Sequence, residues 1–475
     1  MPNDFPTASA VPCPAPAARE PRPAPAIAHR LRQELRGQTT ARLSDGDWAQ
    51  LAASIGAPEA QVRTVAAFFE EFSGTTAHGA HFPSRPDAPP RSLTTPPQLI
   101  ATADDTTSAF SLLKTLATTE NPAATLAGRL SAIEGLARHR IKAGRGLSSR
   151  WAEAAATPAA ERFVICHTDA GNPGSWSGEW LLEHRPGLVI AGMCFAALAI
   201  GAGEGVICVD RSHLSLISRL RTATEQARAA GVLPDDFEIS VFPTFGSPVG
   251  GEETALLNAI EGRVGEARSR PPEPEVAGIF GKPTVVESAE IFARLPGWLR
   301  SGRDDGQRLI GLLPPFAQPG LVEIDATVTL RQVASDAAGA DGLSSIAALT
   351  VGGRFGSLAF PEKWDTPLDL ETLRKARIEP ANFSLSPVPQ GQPFSDWARD
   401  QLNFAMSETC GRCLPCRLGP LAALGELDAS GEPTHRLREI LDTVAATSLC
   451  GFGRDFPRPI LQWIERWRHQ PAGAS

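Results

Sequence analysis

The chain has no tyrosine, against 21 Phe and 9 Trp, so any aromatic contact to a ligand has to come from those two residue types. Cysteine is scarce: there are eight in 475 residues, and half of them fall in one C-terminal region. That distribution excludes a disulfide framework and fits a reducing compartment. There is no excess of basic charge. The net charge is −8 at pH 7, which gives no support for nucleic-acid binding. Long apolar runs are lacking too. The most apolar stretch, Gly187 to Gly203 (GLVIAGMCFAALAIGAG), contains four glycines and is short for a bilayer span. It reads as a buried helix, with no direct membrane insertion. No basic n-region followed by an apolar h-region opens the chain. These absences point to a cytoplasmic protein of ordinary globular composition, long enough for about two to four domains.

What is present concentrates near the C-terminus. Cys410, Cys413 and Cys416 stand three residues apart, and Cys450 follows 34 residues after the last of them. A C-x₂-C-x₂-C run with one remote cysteine is a common ligand set for an iron–sulfur cluster. Zinc sites more often use two separated C-x₂-C knuckles or Cys/His mixtures. No second knuckle surrounds Cys450, and His435 is the one histidine between these cysteines. The spacing favours a [4Fe-4S] cluster over zinc and over buried unliganded thiols. Arg412, Arg417 and Arg454 flank the ligands, where they either offset cluster charge or stand in solvent.

Composition and periodicity divide the rest. Residues 1–26 are Pro/Ala-rich and read as a disordered tail. Residues 27–73 have helical spacing, with Ser44 as N-cap of Asp45–Ile55 and a second helix from Ala57 through Val62, Val65, Phe68 and Phe69. Residues 74–100 read as a Pro/Gly/Ser linker. From 101 to 305, one or two helices and the basic loop Arg138–Gly146 precede alternating elements. These are a strand at Arg162–Asp169, a helix at Glu183–Ile200, a strand at Gly205–Val209, a helix at Leu214–Ala230, a strand at Phe237–Phe242 and a helix at Gly250–Glu261. That alternation argues for an α/β domain. Residues 306–377 carry short strands at Arg308–Leu313, Leu321–Ile324 and Ala347–Val351 around a helix at Val328–Ala338, a small α+β unit. Residues 378–393 read as a Pro-rich linker, and 394–475 as a helical region around the cysteines, closed by an amphipathic helix at Pro459–Arg468.

Several stretches, taken together, resemble one family. They are Gly250-Gly251-Glu252-Glu253-Thr254 with Glu261-Gly262-Arg263, Arg270-Pro271-Pro272 and Gly281-Lys282-Pro283-Thr284. To these add Pro319–Ile324 with Thr366–Asp369, and the four cysteines with Thr447-Ser448-Leu449. Residues from about 140 to 470 are similar to the NADH-binding, FMN-containing subunit of respiratory complex I and to the diaphorase subunits of NAD-dependent hydrogenases and formate dehydrogenases. The resemblance implies a Rossmann-like α/β domain for FMN and NADH and a small β-grasp (ubiquitin-like) domain. It also implies a C-terminal helical bundle holding a [4Fe-4S] cluster on Cys410, Cys413, Cys416 and Cys450. It implies FMN and NAD(H) contacts at Gly144, Arg145, Gly146, Asp169, Gly251, Glu252 and Glu253. Its partners would be other electron-transfer or catalytic subunits of a redox complex. Residues 42–72 resemble the helical start of the family's thioredoxin-like partner, whose [2Fe-2S] domain is absent, since Cys13 alone precedes Cys166.

The chain departs from that family at its flavin loops. The family's G-R-G-G-x-G-F-P-x-G-x-K-W loop is reduced to Ala143-Gly144-Arg145-Gly146-Leu147-Ser148-Ser149-Arg150-Trp151, with Arg150 where lysine is expected. In C-N-x-D-E-x-x-P-G, the asparagine has become His167 and the glutamate Ala170. In N-N-x-E-T, both asparagines are gone and Glu287 replaces one of them. An added acid beside a flavin phosphate is unfavourable. Glu252 and Glu253 serve either as ligand contacts or as charges favouring a helix N-terminus. His167 reads as a loop residue or as a flavin contact, and Phe242 or Phe245 as the nicotinamide-facing aromatic. Three functions follow: a diaphorase subunit passing electrons from NADH through FMN to the cluster, a cluster-carrying electron-transfer or assembly subunit without flavin and NADH, and a non-redox interaction protein with a structural metal.

Overall fold

The computed structural model describes residues 44–55, 62, 90–93, 99–100, 106–133, 145–168, 171–244, 246–304, 306–339 and 342–468. The chain divides into two compact units, 1–79 and 80–475. In the first, α1 (Asp45–Ile55) starts as expected, with Ser44 Oγ accepting from Asp47 N at 3.3 Å while Asp47 returns the contact to Ser44 N at 2.8 Å. The expected disordered tail and most of the second helix lie outside the described residues, apart from buried Val62.

The second unit opens with β1 (Arg91–Ser92), α2 (Thr106–Ala117), α3 (Pro122–Ala132) and α4 (Leu147–Ala156). Then come β2 (Phe163–His167), α5 (Ser177–His184), α6 (Pro186–Ile200), β3 (Glu204–Asp210), α7 (Leu214–Ala229), β4 (Glu238–Thr244), α8 (Glu253–Ile260), β5 (Thr284–Ser288) and α9 (Ala289–Ser301). β2 to β5 form a four-stranded sheet in the order β4-β3-β2-β5, parallel throughout. α6 is apolar on all sides and buried along nearly its whole length, as a helix at the centre of a packed layer must be. Its core includes Phe195, Phe292 and Trp298.

Two expectations here are corrected. The single helix over 183–200 is two helices, bent by 103° at Arg185. Pro186 brings no N–H to continue the first helix and suits the first turn of the second. The helix expected from Gly250 starts only at Glu253, after a 3₁₀ turn over Pro248–Gly251. Among the described residues no single helix is long and apolar enough to cross a membrane.

The chain continues with β6 (Arg308–Leu312), β7 (Gly320–Ile324), α10 (Leu330–Ala338), β8 (Ile346–Val351), β9 (Ser357–Ala359), α11 (Leu370–Lys375) and β10 (Leu385–Pro389). A mixed six-stranded sheet runs β1-β7-β6-β10-β8-β9. α10 is held at its start by a Thr329/Gln332 capping box, which satisfies two otherwise orphaned N–H groups. Both expected linkers give strands to this sheet, and that is a further correction. Residues 74–100 supply the edge strand β1, and residues 378–393 supply β10, which sits between β6 and β8.

Proline normally argues against an inner strand, and the local pairing explains why it is tolerated in β10. β10 meets β6 through Leu385 alone, whose carbonyl accepts from Leu313 N at 2.8 Å. By strand alternation the nitrogens of Pro387 and Pro389 face that same flank, where the ladder has already ended. A buried charge cluster ties α9 to the six-stranded sheet. Arg294 contacts Glu290 at 3.1 Å and Glu323 at 3.3 Å, and Glu323 also accepts from Leu99 N at 3.1 Å.

Five helices end the unit: α12 (Phe394–Glu408), α13 (Leu414–Ser430), α14 (His435–Thr447), α15 (Gly451–Asp455) and α16 (Pro457–Arg468). Their core contains Leu402, Leu427, Leu441, Phe452, Phe456 and Ile460, and it also takes in Val249 and Ala255 from the α8 segment. That shared core sets the helix start at Glu252–Glu253 beside the cysteine region.

Candidate functional site: a four-cysteine centre and a closed strand-end crevice

The cysteines come from two helix starts. Cys413 N-caps α13, Cys416 lies in its first turn, Cys410 precedes both, and Cys450 N-caps α15. Cys416 is buried, while the other three are half-buried. Gly453 permits the close fit of the two starts, because a Cβ there would stand 2.4 Å from Ser448 Oγ and 3.0 Å from Cys416 Cβ. Burial pushes the Cys416 thiol up to about 12; a hydrogen bond with Thr409 opposes this, and the nearby Cys413, Cys450 and Cys410 add to it. Burial raises Cys450 to about 11; the N–H groups of Phe452 and Gly453 pull it down, and Glu252 and Cys410 push it up.

The four sulfurs are therefore within electrostatic reach of one another. Among the described residues no three His, Cys, Asp or Glu side chains are close enough to hold a single ion. A cubane asks for something different: each thiolate binds its own iron, and the sulfurs surround a volume. The donor set fits that group. Four thiols share one space, two N–H groups point at one sulfur, and cluster binding supplies the positive charge needed to deprotonate them. Of the flanking arginines, Arg412 pairs with Glu266, and Arg454 donates to the Ser448 carbonyl at 2.9 Å.

The second group of expected site residues lies at the C-terminal ends of the parallel strands, where open α/β sheets bind ligands. Gly144, Asp169 and Phe245 lie outside the described residues. Gly146 N-caps α4, and one turn later Arg150 is 1 % exposed. Its guanidinium pairs with Glu287, with Glu275 at 3.3 Å and with Glu253 at 3.9 Å. Trp151 Nε1 also donates to Glu287, at 3.3 Å. Burial alone would lower the Arg150 pKa; Glu287, Glu253 and Glu275 outweigh it and hold the value above that of a free guanidinium. Arg145 pairs with Glu153 and, at 3.0 Å, with Glu275. Arg270 contacts Glu252 at 2.6 Å, Glu273 at 2.8 Å and Glu253 at 3.1 Å. Glu252 also N-caps α8 through Ala255 N at 2.8 Å.

Sequence reasoning paired none of these charges. Arg150 and Glu287 were both visible as replacements, but 137 residues separate them, and Glu275 and Arg270 carried no signal as their neighbours. His167 is buried at the end of β2, and Phe242 is half-buried in β4.

Among the described residues the crevice is closed between the ends of β2, β3 and β4. The loop after β2 rests on the loop after β4. Gly171, at φ +87°, lies where a Cβ would be 2.0 Å from the Gly246 carbonyl oxygen, and Gly246 is itself pressed against Asp210. On its other side the same loop is clamped through the Pro173 carbonyl, which accepts from Asn382 at 3.1 Å and Ser384 at 3.2 Å. The cavity left between His167, Thr168, Cys208, Thr244 and Ser247 measures about 10 Å³, room for about one water.

Comparison with known proteins identifies the lineage. Residues 140–296 match the model of the Nuo51 FMN-binding domain, and residues 396–472 match the NADH-ubiquinone oxidoreductase-F iron–sulfur binding region. The NADP-reducing hydrogenase subunit HndC of Solidesulfovibrio fructosivorans is 30% identical over 358 residues, 70% of this chain and 73% of that protein. The chain belongs to this family.

An NADH-quinone oxidoreductase subunit of Aquifex aeolicus (strain VF5) is 31% identical, over 70% of this chain and 82% of that one. A crystal structure of an NAD+-reducing [NiFe]-hydrogenase in the H2-reduced state superposes with a TM-score of 0.66 at 26% identity, covering 91% of this chain and 74% of that chain. The family comprises NADH-binding electron-transfer subunits with FMN and iron–sulfur domains, which work within multi-subunit oxidoreductases. Within that family, this chain's cysteine centre fits its cluster. Its strand-end crevice, as folded among the described residues, does not fit FMN.

Proposed function

We propose that the chain is the electron-transfer subunit of an NADH-dependent oxidoreductase complex, with a [4Fe-4S] cluster on Cys410, Cys413, Cys416 and Cys450 as its outlet. The observation that carries this reading is the meeting of four thiols at two helix starts, in a chain whose family pairs the same region with an FMN-binding domain. When bound, the cluster exchanges one electron at a time with its neighbours. The protein's part is to hold four sulfurs around one space, to direct the N–H groups of Phe452 and Gly453 at Cys450, and to keep three of the four cysteines half-exposed. The partner is another electron-transfer or catalytic subunit, of the hydrogenase, formate dehydrogenase or quinone-reductase kind, in the cytoplasm. Residues 101–305 form the Rossmann-like domain, 306–377 with β10 the β-grasp domain, and 394–475 the cluster-binding bundle.

Anaerobic purification followed by metal analysis and EPR after dithionite reduction tests the proposal. The expected result is about four irons per chain and a reduced-cluster signal. Zinc in place of iron under those conditions sinks it. Cys413→Ser is expected to remove the cluster signal while the parallel-sheet region stays folded, and an unchanged spectrum would show the ligand assignment to be wrong.

A further inference from the structure

We infer that this member of the family is flavin-free: a buried ion cluster centred on Arg150 stands at the strand ends and excludes FMN, so the chain receives single electrons from a partner and takes no hydride from NADH. This rests on the proposed reading as an electron-transfer subunit and specifies where in the electron path it works. One electron enters its cluster and one leaves, and the two-electron oxidation of NADH belongs to a different, flavin-bearing subunit.

Three features support the inference. The first is charge. An FMN phosphate carries close to two negative charges near neutrality and needs cations or free N–H groups around it. Here three guanidiniums, those of Arg145, Arg150 and Arg270, are engaged by six carboxylates, those of Glu153, Glu252, Glu253, Glu273, Glu275 and Glu287. With those carboxylates ionised, the cluster holds an excess of three negative charges. A phosphate would meet repulsion in a region where screening by water is weak.

The second feature is occupancy. Arg150 stands in the sequence where the family's loop places its lysine, but its side chain is turned to Glu287, Glu275 and Glu253 and is 1 % exposed. It answers the acid that replaced an asparagine, so the two departures compensate each other and Arg150 is not a free cation. Glu252 and Glu253 are likewise held, by Arg270 and by the start of α8.

The third feature is space. Pockets that bury small organic ligands measure roughly 300–1,000 Å³, against about 10 Å³ at His167, Thr168 and Cys208. The contact there is backbone on backbone, the Gly171 loop lying on the Gly246 loop.

The experiment uses the full chain, purified anaerobically with its cluster from riboflavin-supplemented cells. Acid-released flavin and iron are measured on the same sample, and free FMN is titrated by fluorescence quenching. The expected outcome is iron with substoichiometric flavin, no quenching, and reduction of the cluster by dithionite but not by NADH. One FMN per chain, or a Kd below about 1 μM, overturns the inference while leaving the cluster reading intact. Loss of iron with no flavin overturns the cluster reading and leaves the exclusion standing.

A Glu275→Gln/Glu287→Asn double variant removes two of the three carboxylates on Arg150 and leaves it Glu253, at 3.9 Å. It is expected to bind FMN at least tenfold more tightly than the parent chain. If the double variant melts as a folded protein and gains no FMN affinity, the ion cluster is not what excludes the flavin, and the inference fails.

Discussion

The cysteine centre and the strand-end crevice sit on neighbouring segments, joined through α8, yet they solve opposite problems. At the cysteine centre the donors have no internal charge partner. The thiols lie within electrostatic reach of one another, and two of them are raised by burial, which hydrogen bonds offset only in part. At the crevice the charges around Arg150 and Arg270 are already answered by one another. A group of donors without a counter-charge is a site; a group of charges that satisfy one another is a structural element. The comparison separates retained chemistry from retained ancestry, which family membership alone does not do.

The largest expected effect tests the structural side. Arg150→Met strips the cation from Glu287, which is 0% exposed, and leaves Glu275 with Arg145. Leaving a buried carboxylate without its cation costs about 3–5 kcal/mol, read as a fall in the denaturant midpoint at constant slope. A loss under about 1 kcal/mol would show that water reaches the pair and that the crevice is open.

The next test concerns the fit of the two helix starts. Gly453→Ala forces a Cβ against Ser448 and Cys416. Overpacking of this kind costs about 1–3 kcal/mol, and the iron content per chain is expected to fall with it. Full iron loading at unchanged stability would mean that the starts of α13 and α15 are less closely fitted than described.

A pH series separates thiol from thiolate. In the metal-free protein Cys416 lies at about 12 and Cys450 at about 11, above the ordinary 9.0 of a thiol. A group whose folded pKa is raised contributes stability below its unfolded pKa and loses it as pH rises through the folded value. Stability of the apoprotein is therefore expected to fall between about pH 9 and pH 12. The iron-loaded protein, whose ligands are already deprotonated, should lack that decline, and denaturant midpoints across the range check both arms.

The smallest effect probes the link between the two regions. Glu252 pushes Cys450 upward, so Glu252→Gln should lower the Cys450 pKa. Alkylation of the apoprotein at Cys450 near pH 9 should then run a few-fold faster, as the thiolate fraction grows. Peptide mapping by mass spectrometry follows it residue by residue. An unchanged rate at Cys450 would separate the regions electrically.

Much of the organisation was legible along the chain because it rests on local signals. Ser44 caps α1, strands β2, β3 and β4 fall on short apolar or alternating runs, and the cysteine spacing stands alone. Reading failed where a local signal was overridden at a distance. Pro387 and Pro389 suggested a linker, but their missing N–H groups fall on the flank of β10 that β6 has already left. The helix over 183–200 was drawn through Pro186 because its apolar run continues on both sides of the bend.

By itself the sequence determined the ancestry, the alternation of strand and helix, and the identity of the four thiols, since each is written in residue type and spacing. The tertiary structure alone decided what the departures mean. Whether Arg150 is a free cation or a buried one depends on carboxylates 103, 125 and 137 residues away, and no spacing rule spans that distance. Whether the strand ends hold a ligand depends on two backbone loops touching, and contact between distant backbones is a property of the folded chain.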